Sequence, residues 1–82
     1  MTVSVSEWLV RYAAELGVDA PSEEAFEELL LVASVAAHAS ERTAAPVSCW
    51  LAAVAGVQPA DALAAAERVA ASIESADDGS GV

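Results

Sequence analysis

The apolar positions fall into four groups, each repeating at three- and four-residue intervals and each bounded by residues that start or stop helices. In the first group Val5, Trp8, Leu9, Tyr12 and Leu16 fall on one helical face. Ser4 and Glu7 before it have capping-box spacing, and Gly17 follows where a helix would end. A helix over 5–16 is expected. Ser22 heads the second group, with Glu23 and Glu24 in the first turn, where carboxylates meet the positive end of the helix dipole. Phe26, Leu29, Leu30, Ala33 and Ala37 form its main stripe, and Leu31, Val32 and Val35 carry apolar character further round. So wide a face predicts a central helix over 23–40.

Pro46 suits the first turn of a third helix, 47–55, where Val47, Trp50, Leu51 and Val54 make a narrow stripe that ends at Gly56. Pro59 opens a fourth, 60–75, whose Leu63, Ala66, Val69, Ala70 and Ile73 are expected to face inward among alanines that let helix axes approach closely. No segment alternates with the period of a strand. The fold class read from these patterns is all-α, a compact four-helix bundle. It forms one domain over 1–76, followed by a flexible acidic and Gly-Ser tail over 77–82.

Eighty-two residues build a small core, and much of the apolar fraction is alanine, which buries little area. Trp8, Tyr12, Phe26 and Trp50 are therefore expected to carry much of the core, with both tryptophans substantially buried. Thirteen acidic residues against three arginines give a formal net charge of −10, which opposes binding to nucleic acid or to anionic membrane surfaces. The uncharged stretch 43–60 contains Pro46, Gly56 and Pro59, so it reads as two helices and a turn and not as a membrane span. No signal-peptide pattern opens the sequence, and a cytoplasmic location is expected. One cysteine and one histidine offer neither an internal disulfide nor a zinc ligand set of the usual kind, and no cofactor is expected.

An acidic helical chain of this length invites comparison with acyl carrier proteins. Their phosphopantetheine-bearing serine is missing: the nearest analogue, Ala60-Asp61-Ala62-Leu63, has alanine at that place. Glu23, Glu24, Glu27 and Glu28 read as a solvated helix start, because catalytic carboxyls need desolvation or a specific neighbour. Cys49 reads as a surface or second-face thiol, since His38, which would have to activate it, is on another helix. No enzyme is expected.

The segment Ala36–Pro46 is the one candidate site. His38 and Arg42, four residues apart, would share a face if the second helix continued that far, and the third helix then begins with free N–H groups. With Ser48 in the first turn, His38 and Arg42 would make a ligand-binding pocket for a small anion such as a nucleotide or pterin phosphate. The simpler reading, and the one expected, is that Arg42 caps the second helix and His38 is a packed or surface residue.

The stretches SEWLVRYAAELGV and AAHASERTAAPVSCWLAAVAG resemble a small domain of unknown function from high-GC actinobacteria. That domain occurs alone or attached to a molybdopterin-guanine dinucleotide nucleotidyltransferase-like domain. The shared features are Trp8-Leu9, Leu16-Gly17, Ala37-His38, the connector from Arg42 to Pro46, and Ala55-Gly56. The resemblance covers about residues 6–73, and the chain departs from it at Thr43, where proline is usual, and at Cys49, where a small residue is usual. It implies a link to molybdenum-cofactor maturation through fusion, with a cofactor-maturation nucleotidyltransferase or a molybdoenzyme as the protein partner. A non-catalytic accessory or interaction module is the function expected. The alternatives are the anionic-ligand domain just described and a structural module that pairs with itself as a homo-oligomer.

Overall fold

A computed structural model describes the backbone of residues 3–80 and the side chains of 3–75. The fold is an all-α four-helix bundle, with α1 at Val5–Leu16, α2 at Glu23–Ala39, α3 at Ala44–Ala55 and α4 at Pro59–Ser80. The tail expected over 77–82 falls beyond the described side chains, and residues 81 and 82 lie outside the described residues altogether.

The helix boundaries follow from their caps. Ser4 Oγ accepts from the Glu7 N–H at 3.0 Å, and Ser22 Oγ accepts from the Ala25 N–H at 3.1 Å, each satisfying a donor that the first turn leaves free. Only half of the capping box forms at α1. The Glu7 carboxylate turns instead to Arg11, 3.0 Å away and exposed. Gly17 and Gly56 close α1 and α3 at φ 76° and 74°, a left-handed conformation in which a β-carbon would crowd the backbone. At each, two N–H groups turn back to the helix: Gly17 to Ala14 and Val18 to Ala13, and Gly56 to Ala53 and Val57 to Ala52.

Helix α3 begins three residues earlier than Val47. Pro46 is its third residue, a position that lacks an intrahelical N–H bond in any case, so the ring costs nothing there. The break from α2 lies in residues 40–43, where Ser40 leaves the helical region at φ −135° and ψ −107°.

Helix α2 is central, as its wide apolar face predicts, and packs along both α4 and α3. Its most enclosed side chain is Val32, 2% exposed, a member of the secondary stripe. Among the described residues, Ala62 of α4 and Ala13 of α1 are the other buried apolar side chains. The large aromatics do not form this core. Trp8 is 55% and Trp50 64% exposed, Tyr12 is exposed as well, and Phe26 is half-buried. The expectation of buried tryptophans is thus corrected: the apolar stripes exist, but small residues at their edges make the close contacts and the large ones stand outside. On α1 the enclosed edge is half-buried Leu9, which faces the segment 20–27, and buried Ala13. Val69 and Ile73 of α4, expected inward, are exposed.

Candidate interaction surface

Because α2 has α3 on one side and α4 on the other, it forms the floor of a groove between them. Along α2 the groove runs from Val32 to Ser40; α3 contributes Ala44, Ser48, Leu51, Ala52 and Ala55, and α4 its face from Ala62 to Ile73. Val57 in the connector closes one side, and the volume is about 500 Å³. Among the described residues, Ser40 and Ser48 are the polar members of the lining and no charged side chain belongs to it. Alanine accounts for the shape. With methyl groups along Ala36, Ala52, Ala66 and Ala70, the helices leave space between them, and Leu51, Val69 and Ile73 line its sides while remaining exposed.

A second apolar surface lies on α3. Val47, Trp50 and Val54 are spaced three and four apart, fall on one face, and are all exposed. Opposite that face Cys49 turns to α2, where its thiol points at the Leu29 carbonyl oxygen, 3.8 Å away. Burial pushes the Cys49 thiol above its ordinary pKa, which favours the neutral form and disfavours a nucleophilic thiolate.

The three residues of the sequence-derived ligand pocket are distributed over different places. His38 is exposed in the last turn of α2, where Nδ1–H donates to the Ser34 carbonyl at 2.7 Å. It lines a recess of about 440 Å³ together with Ser34, Val35, Ala39, Ala70, Ile73 and Glu74. Ser48 is half-buried and lines the apolar groove. Arg42 is exposed in the turn between helices, past the end of α2, and belongs to neither recess. Among the described residues its guanidinium makes no hydrogen bond and no ion pair, so it does not cap α2 by a side-chain contact. Nor does α3 offer a row of free donors to an anion. The Ala44 N–H goes to the Glu41 carbonyl at 2.9 Å, the Ala45 N–H goes to the Arg42 carbonyl at 3.1 Å, and Pro46 has none.

Among the described residues no group of three His, Cys, Asp or Glu side chains is placed to hold a metal ion. No helix among them is long and apolar enough to cross a membrane.

The chain is a member of the family described as a domain of unknown function, DUF6457, whose pattern matches residues 2–80. No curated protein and no solved structure matches it.

The sequence pattern did not single out Val57, Val69 and Ile73 as surface residues. Val69 and Ile73 carry the ordinary signal of an inward stripe, while Val57 lies in the connector outside any stripe, and periodicity does not distinguish a face covered by the same chain from one left open.

Proposed function

We propose that this domain is a non-catalytic, cytoplasmic accessory module that binds another protein through the apolar face of α3. The observation that carries this reading is the exposure of Trp50 between Val47 and Val54. Aromatic side chains on a surface patch are the anchors that protein interfaces use most, and contiguous exposed apolar surface marks interaction sites on soluble proteins. The partner class comes from the resemblance carried by Trp8-Leu9, Ala37-His38 and the Arg42–Pro46 connector. A domain that occurs fused to a molybdopterin-guanine dinucleotide nucleotidyltransferase-like domain in actinobacteria can reach the same enzyme, or its molybdoenzyme client, as a separate chain.

The interaction reading is preferred to anion binding because the acidic side chain of Glu74 lines the same recess as His38, and because the first N–H groups of α3 are already donated to carbonyls. It is preferred to catalysis because Cys49 is held as a neutral thiol and no base approaches it among the described residues.

The test is a photo-cross-linking amino acid placed at Trp50 in the native host, with mass spectrometry of the adducts. Adducts with a nucleotidyltransferase or molybdoenzyme, lost when Val54→Glu is added, are the expected result. A cross-linker at Trp50 that forms no protein adduct overturns the reading.

A further inference from the structure

We infer that the groove between α2, α3 and α4 is filled by helix α1 of a second copy of this chain, exchanged reciprocally to make a two-fold dimer. The inference shares with the proposed function the view that this is an interaction module, but it concerns a different surface.

The amount of exposed surface is the first argument. A folded monomer of 8.3 kDa is expected to expose about 4,600 Å², whereas this chain exposes 6354 Å², an excess of about 1,800 Å². Its radius of gyration is 15.1 Å, against about 12 Å for a compact chain of this length. A stable protein–protein interface takes about 800 Å² from each partner. The excess is therefore sufficient for a dimer of standard size.

The second argument is that the two surfaces match. Val5, Trp8, Tyr12 and Leu16 form a ridge on α1, each about half exposed, with the Trp8 and Tyr12 rings stacked. Helix α1 and the α4 side of the groove, Ala62 to Ile73, each span twelve residues, about 18 Å of helix. Glu7 and Arg11 lie away from the ridge and stay in water when it is buried, and Glu15, seven residues from Trp8, flanks it with an exposed carboxylate that can reach solvent. The groove lining holds no charged side chain, so seating the ridge leaves no charge of the groove without water.

The third argument is topological. Within one chain, α1 lies against the segment 20–27 at the start of α2, while the groove occupies the other half of that helix, from Val32 onward. Ridge and groove are thus carried by one chain at separate places. Reciprocal exchange satisfies both in a single closed operation and leaves no open end to propagate a fibre. The Val47–Trp50–Val54 face remains outside the exchange, available to a different partner.

The test measures oligomeric state by sedimentation equilibrium at about 0.05 and 0.5 M salt. A dimer of twice 8.3 kDa is expected, tightening as salt screens the repulsion between two chains of net charge −10. Val69→Glu, which places a charge on the exposed groove wall, should weaken the dimer by roughly tenfold or more with the helical circular dichroism unchanged. To locate the contact, Tyr12→Cys and Val69→Cys chains, each also carrying Cys49→Ser, are mixed and oxidised. The expected product is a disulfide dimer of the two different chains. Ala14→Cys, exposed on the side of α1 away from the ridge, should give none with the same partner. A chain that stays monomeric overturns the exchange, as does a dimer indifferent to Val69→Glu or one that joins Ala14→Cys as readily as Tyr12→Cys. Either result leaves the Trp50 cross-linking result standing, so the two readings fail separately.

Discussion

Cys49 Sγ lies 3.8 Å from the carbonyl oxygen of Leu29, across the packing of α3 on α2. The contact holds the thiol in a half-buried position, where desolvation raises its pKa above the ordinary cysteine value. Alkylation by iodoacetamide should therefore be slower than in the unfolded chain at the same pH, and its pH midpoint should be higher. The raised pKa also bears on stability. The native state keeps its proton to higher pH than the unfolded state, so the contribution is fully present below the ordinary thiol pKa, about 8.5, and is lost as pH rises through the folded value. Denaturant melts on the alkaline side should show this decline, and Cys49→Ser should reduce it.

Substitutions at Trp50 and Val32 should rank opposite to their size. Trp50→Ala removes a side chain that is mostly in water, and should change the stability of the isolated monomer by no more than about 0.5 kcal/mol. Val32→Ala empties the most enclosed position of the fold and should cost roughly 1–3 kcal/mol. Urea denaturation of both variants, under conditions that keep the chain monomeric, checks the order.

Overpacking should be as damaging as truncation. Ala62 is 6% exposed in the helix α4 that packs on α2, and Ala62→Leu should destabilise by roughly 1–3 kcal/mol, read from the same denaturation curves.

Gly17→Ala and Gly56→Ala should each cost about 1–2 kcal/mol through the backbone alone. Beyond the adjoining backbone a β-carbon at either position meets no atom within 4 Å, so no clash with the rest of the fold adds to this local strain. Gly17→Asn, which tolerates the left-handed region better, should recover part of the loss in a thermal melt.

Arg42→Ala should leave the melting temperature nearly unchanged, because the guanidinium is exposed and makes no contact among the described residues. Added phosphate should not raise the parent's melting temperature either. Stabilisation by phosphate that disappears in Arg42→Ala would restore the anion-pocket reading.

The ends of the helices were legible because local chemistry fixes them. Ser4, Ser22, Gly17, Gly56 and Pro59 sit at the boundaries their side chains or backbone freedom predict. The start of α3 was less so: proline is tolerated anywhere in a first turn, and Pro46 alone does not say which residue of that turn it is. The tryptophans were misplaced for a different reason. Their periodicity marks an apolar face, and burial was inferred from residue size, yet whether a face is covered depends on tertiary packing. The candidate site suffered from the same limit. The four-residue spacing of His38 and Arg42 puts them on one face only within a continuous helix, and α2 ends at Ala39.

The alanine interior has a calorimetric consequence. The heat capacity of unfolding is set by newly wetted apolar area, and here Trp8, Trp50, Leu16 and Val54 are already wet in the native monomer. Unfolding the isolated chain should thus have a smaller heat-capacity increment than its 82 residues would ordinarily give, and a correspondingly flat stability curve with a broad thermal transition. Much of the missing increment should reappear when the chain associates, as a negative heat-capacity change of binding. In this domain, the thermal signature of a hydrophobic core belongs as much to the complex as to the monomer.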